Sequence, residues 1–201
     1  MLACGPQGVN YRGLRLPLVG AMIGLAVPAV APVAAIGLAD DLWSGPERGF
    51  RAHLAKGSTT GVAKAVGIPL VALATTRSLR KATLVALAAN VVNQLDTRPG
   101  RALKAFAAGA VIVRGPAKSY LPIAVLLAPY DLREMTMLGD AGANALGAVL
   151  GYGSVGKLTA RGQFFAIAAL AGLTAAGEAR SLGSLIERTP VLSRLDRLGR
   201  P

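Results

Sequence analysis

An all-α bundle of membrane-spanning helices is the fold class this sequence predicts, on three observations. Hydrophobic residues make up 53% of the 201-residue chain, charged residues only 16%, and mean hydropathy is +0.50. A soluble domain carries about 25% charged residues. Ala and Gly dominate and aromatics make up 4%; small residues let membrane helices approach closely. The charges gather in short segments between apolar runs. The expectation is one membrane-embedded domain over residues 1–201, multi-pass in the cell membrane. About seven spans and a C-terminal amphipathic surface helix make it up.

Taken in order, residues 1–15 read as a polar N-terminal loop. Residues 16–39 form the first apolar run, free of charge and kinked at Pro28 and Pro32, each of which removes a backbone donor. A long basic loop follows. Further spans are expected over 61–76, 82–95, 102–113, 120–129, 141–156 and 163–177. Residues 181–201 read as an amphipathic tail lying on the membrane surface. Its Leu182, Leu185, Ile186, Leu192, Leu195 and Leu198 recur at roughly helical spacing, with Arg188, Arg194 and Arg197 between them.

Alternating the spans puts Asp40, Asp96, Asp140 and Glu178 on one face. That face holds 13 of the 22 Lys and Arg residues, which makes it cytoplasmic by the positive-inside rule. The net charge of +12 sits in loops, a pattern that fits anionic headgroups and phosphorylated ligands. No RNA- or DNA-reading motif appears, so nucleic acid is not the expected partner. Cys4 is alone and forms no intrachain disulfide.

Four groups of residues carry the chemistry. Asp40 and Asp41 stand together where the first apolar run ends, and acids at such an edge point to a functional site. Asn90, Asn93 and Asp96 recur every three residues, close to one helical face. Their amides either orient a polar substrate or hydrogen-bond between helices. Asp140 lies in Met137-Leu138-Gly139-Asp140-Ala141-Gly142-Ala143-Asn144, where glycines permit close backbone approach and a helix start leaves amides for anions. The basic stretch from Arg48 through Arg51 and Lys56 to Lys64 supplies cations for phosphates; His53 there reads as structural or solvated. Converging carboxylates that stay ionised need a cation, and Mg²⁺ suits oxygen donors and phosphates.

In order and spacing, the first three of these groups resemble the polyprenyl-phosphate N-acetylhexosamine-1-phosphate transferases. That group, glycosyltransferase family 4, includes UDP-N-acetylmuramoyl-pentapeptide phosphotransferase. The loop Asn10-Tyr11-Arg12-Gly13 with Pro17 also looks like the family's loop before an early helix. Gly49 to Leu54 and Ile186 to Pro190 resemble shorter actinobacterial-type members. The resemblance implies transfer of a sugar-1-phosphate from a UDP-sugar to a polyprenyl phosphate, with release of UMP, in cell-wall or surface-glycan assembly. It implies Mg²⁺, or Mn²⁺ in its place, held by Asp140 and Asp41, with Asp40, Asp41 and Asp96 as catalytic residues. Asn90, Asn93, Asn144, Arg48, Arg51, Lys56 and Lys64 are the expected substrate contacts. The membrane is the expected surroundings, and a homodimer is compatible. The family carries more spans than are read here and a histidine-rich loop this chain lacks. The alternative is therefore a shortened, inactive relative that serves as a membrane scaffold or partner.

Overall fold

A computed structural model describes residues 5–43 and 59–200. The basic loop with Arg48, Arg51, His53 and Lys56 lies outside the described residues.

Residues 5–20 form a small β-hairpin and its exit, not a featureless loop. β1 (Gln7–Val9) pairs antiparallel with β2 (Arg15–Pro17). The Asn10 side chain closes the turn by accepting from the Arg12 and Leu14 amides, both at 2.9 Å, an Asx-type turn that Asn favours. Leu18 then bridges to Met137.

The apolar run at 16–39 does not make one kinked span. It folds back on itself as α1 (Ala21–Ala26), a 3-10 turn (Pro28–Val30) and α2 (Ala31–Trp43). The break falls where Pro28 and Pro32 withhold backbone donors. Gly24 then lies against Ala31 and Ala34, which closes the helical hairpin. Both ends of the run therefore meet the same partner: a Cβ on Gly20 would touch Leu138 and Gly142, and one on Gly37 would touch Asp140 and Ala141.

The other helices are α3 (Thr59–Thr76), α4 (Leu79–Leu95), α5 (Arg101–Val113), α6 (Leu121–Leu132), α7 (Gly139–Lys157), α8 (Ala160–Arg180), α9 (Leu182–Arg188) and α10 (Pro190–Arg197). From α3 to α8 they alternate in direction. Arg80 meets Gln163 and Thr75 meets Tyr152 at one end, while Gln94 meets Glu178 at the other. The α7 helix is the core. Its residues from Ala141 to Val149 are all buried, between α2, α4 and α5. Glycine makes this possible: a Cβ on Gly147 would lie 2.4 Å from the Ala88 carbonyl oxygen, so the α4 and α7 backbones pack directly.

The expectation of a polytopic membrane bundle is overturned. Among the described residues, no helix is long and apolar enough to cross a membrane. A span needs about 20 apolar residues. The α5 helix has 13 residues and α6 has 12, so α6 rises only ~18 Å. The longest helix, α8 with 21 residues, begins Ala-Arg-Gly-Gln and ends Gly-Glu-Ala-Arg. A multi-pass placement in the cell membrane falls with it. Large apolar side chains do face outward, Leu25, Ile112 and Phe165 among them.

The tail is helical, and α10 buries Ser193 and Asp196 and leaves Leu192 and Leu195 exposed. Asp196 accepts from the Arg101 guanidinium at 2.9 and 2.7 Å and from Arg200 at 2.8 Å. These two cations outweigh its burial and hold its carboxyl below the usual range. The Arg200 side chain also donates to the Pro99 carbonyl at 2.8 Å. A buried polar side chain must be paired, and the pair with Arg101 decides which face of α10 turns inward.

Substituting Gly147→Val forces α4 and α7 apart. We expect a loss of about 1–3 kcal/mol, read from the midpoint of chemical unfolding.

Candidate functional site

Three stretches far apart in sequence meet at the start of α7. The Asp41 carboxylate, at the end of α2, accepts hydrogen bonds from the backbone amides of Asp140 at 2.9 Å and Ala141 at 3.0 Å. The first amides of a helix have no partner within it. Here a neighbouring helix supplies one, and a carboxylate there also complements the helix dipole. Leu138 is the cap residue of α7, and Asp140 lies in its first turn.

Lys64, one turn into α3, closes the site. Its ammonium pairs with Asp40 at 2.7 Å and also with Asp140. Asp40 is 3% exposed. Burial opposes the charge on Lys64, but Asp140 and Asp40 more than offset this and raise its affinity for the proton. Burial raises the Asp140 carboxyl above its ordinary range and the neighbouring Asp40 adds to this, with Lys64 opposing both. Asp41 is pushed up to about 7, by burial first and the nearby Asp140 second, against its two backbone hydrogen bonds and Lys64. A carboxyl near neutrality suits proton transfer.

The remaining expected site residues separate. Asn144 is 2% exposed and donates to the Asp140 carbonyl within α7, at 2.7 Å, so it braces the helix. Asn90 donates to the Thr174 hydroxyl of α8 at 3.2 Å, and so acts between helices. The Asn93 side-chain oxygen is buried without a hydrogen-bond partner among the described residues. Asp96 lines a second place, a cleft beside the β-hairpin, with Asn10, Tyr11, Arg98, Glu134 and Thr136. Glu134 there has a φ of +55° and accepts from Asn10 at 2.8 Å and Tyr11 at 3.1 Å. Glu134 and Thr136 were marked in the sequence only by lying in a polar segment, Asp131 to Asp140, between two apolar runs, and the Arg101–Asp196 pair by nothing local.

The donors do not fit Mg²⁺ as they stand. Both Asp41 oxygens take backbone amides, and Lys64 pairs with Asp40 and Asp140 at once. Among the described residues, no group of three or more His, Cys, Asp or Glu is placed to hold a metal ion. What the site offers is an ammonium, a carboxyl that titrates near neutrality, and a helix start. No family model, curated protein or solved structure matches the chain.

The folded state holds a proton on Asp41 between pH 3.8 and about 7 that the unfolded chain releases. Stability therefore falls as pH rises through that window. Melting temperatures from pH 4 to pH 8 should show the wild type losing stability relative to Asp41→Asn, with the difference levelling above pH 7. Lys64→Ala leaves Asp40 and Asp140 facing each other without a cation. It should cost about 2–3 kcal/mol, below the range for a fully buried pair because Asp140 is partly exposed. Adding Mg²⁺ to that variant and following its melting temperature tests the metal directly: recovery there, with no response in the wild type, means that the carboxylates accept the ion only when Lys64 is gone.

Proposed function

We propose that this chain transfers a sugar-1-phosphate from a UDP-sugar to a polyprenyl phosphate, releasing UMP. The observation that carries this reading is that Asp40, Asp41 and Asp140 come together around Lys64, although about a hundred residues separate Asp41 from Asp140. Two of the three motifs behind the resemblance thus form one site. The third, at Asp96, lines a cleft that Met137 also lines.

The chemistry follows from the groups present. An oxygen of the acceptor phosphate attacks the phosphorus that bears the sugar, the bond to the bridging oxygen breaks, and UMP leaves. Lys64 offsets the charge on the phosphoryl oxygens, as preorganised cations do. Asp41, half protonated near pH 7, takes the proton of an incoming monoprotonated phosphate. Asp40 holds Lys64 in place.

One observation favours the inactive relative. The three carboxylates and Lys64 already satisfy one another, so substrate has to displace part of this network.

The test is UMP release, and exchange of labelled UMP into UDP-sugar, by the purified chain with polyprenyl phosphate and a panel of UDP-sugars, with and without Mg²⁺. Asp41→Asn and Lys64→Gln should each lower the rate about a hundredfold or more. The Asp41 variant should also lose the limb near pH 7. Unchanged turnover in both variants refutes the site assignment. No turnover from a folded sample with any donor establishes the inactive relative.

A further inference from the structure

We propose that Arg101 and Lys104, at the start of α5, form an oxyanion seat that the chain's own tail plugs with Asp196, and that a phosphate group opens it by taking the place of that carboxylate. Arg101 is 4% exposed and donates to both Asp196 oxygens, at 2.9 and 2.7 Å. A guanidinium fork of this kind fits a phosphate as well as a carboxylate. The Thr97 hydroxyl accepts a further guanidinium bond at 2.7 Å and fixes the fork. Lys104, three residues on and so on the same face of α5, donates to the Asp196 carbonyl at 2.5 Å. Its ammonium is pulled below the ordinary range by burial first and by Arg200 second, with Asp196 opposing and Arg101 adding. Cations are already crowded there with the tail in place.

Charge, not apolar contact, holds the plug. Only Ser193 and Asp196 of α10 are buried, while Val191, Leu192 and Leu195 face outward. The helix therefore lacks the apolar burial that fastens others to a core. Past its end, Arg200 adds bonds to Asp196 and to the Pro99 carbonyl, polar again. The α9 helix is fastened differently: Leu182 and Gly183 are buried, and a Cβ on Gly183 would meet the Arg101 guanidinium. Between the two helices Thr189 leaves the helical backbone region, at φ −94° and ψ 112°, and Pro190 follows. That joint lets α10 swing while α9 stays. The seat cannot be left empty, because a buried cation without its partner is strongly unfavourable. The tail leaves only in exchange for another anion. Glu187 stays on α9, 3.3 Å from Arg101 and half exposed. A phosphate brings more oxygens and more charge than the carboxylate it replaces, enough for the Arg101 fork and for Lys104 together. Arg200 departs with the tail and gives up Pro99, which frees the Asp96 to Gly100 loop from behind.

Amide hydrogen exchange on the full chain tests this, with pyrophosphate as the soluble probe and sodium chloride at the same ionic strength as the control. Pyrophosphate should speed exchange in α10, and in Thr97 to Gly100 with it, about tenfold. Lys104→Gln keeps a donor for the Asp196 carbonyl, so α10 should stay protected without ligand while the pyrophosphate concentration needed for release rises about tenfold. A lysine with a purely structural role would do the reverse. Arg200→Gln loosens the plug and leaves the seat intact, so the concentration needed should fall by a similar factor. Exchange in α10 that pyrophosphate leaves unmoved, that sodium chloride moves as much, or that responds at the wild-type concentration in Lys104→Gln overturns the seat. A parallel arm uses vesicles of phosphatidic acid against phosphatidylcholine. Release by phosphatidic acid as well as by pyrophosphate assigns the phosphate to a lipid headgroup; release by pyrophosphate alone assigns it to a soluble ligand.

Discussion

The Lys64 ammonium is the constraint on which the arrangement of α2, α3 and α7 depends. It stands between two carboxylates from different helices, one of them almost fully buried. Taking charges out of water is expensive, and only good geometry recovers the cost. Three helices must therefore keep their relative heights to within the reach of one side chain. Asp41 adds a second lock, since its two oxygens fix the rotation of α2 against the first turn of α7. Neighbours in sequence thus do different work: Asp40 turns toward α3, and Asp41 toward the α7 backbone.

Small residues let these polar locks form without spoiling the apolar core. Gly20 and Gly37 bring the two ends of the helical hairpin against α7, and Gly147 and Gly151 bring α4 against its other side. The close approach excludes water from the core while the locks sit at one end, where Lys64 and Asp140 keep partial contact with solvent. A second polar network at the same end joins Arg101, Asp196 and Arg200. It steadies the Asp96 to Gly100 loop from behind, through Arg200 on Pro99, while Asp131 accepts from the Gly100 amide at 2.6 Å.

Part of this was legible in the sequence. Asp40, Asp41 and Asp140 stood out because few acids interrupt an apolar chain, and the alternation of helices correctly put them at one end. The helices that begin at Thr59, Arg101 and Gly139 start within two residues of the apolar runs read at 61, 102 and 141. Composition misled on scale. An apolar, Ala- and Gly-rich chain reads as membrane-spanning, but periodicity does not report where an apolar run turns back, and Pro28 to Pro32 reverses the chain instead of kinking it. The leucine spacing of the tail is real and leaves Leu192 and Leu195 outward, but the buried pair behind it, Arg101 with Asp196, joins residues 95 apart and leaves no local trace. The same holds for Asn90, whose hydrogen-bond partner Thr174 sits on a distant helix.

The distance in sequence between Asp41 and its partners also sets a timetable for the newborn chain. The hydrogen bond from the Asp140 amide spans 99 residues. At about 5–20 residues per second, synthesis needs roughly 5–20 s to deliver that amide after Asp41 has been made. Throughout that interval the two adjacent aspartates have no α7 to cap. Lys64 arrives only 23 residues after Asp41 and, among the described residues, is the first cation of the finished site to reach them. The order of assembly is therefore written into the order of the chain: Asp40 and Lys64 come within reach of each other first, and α7 arrives last to complete the site.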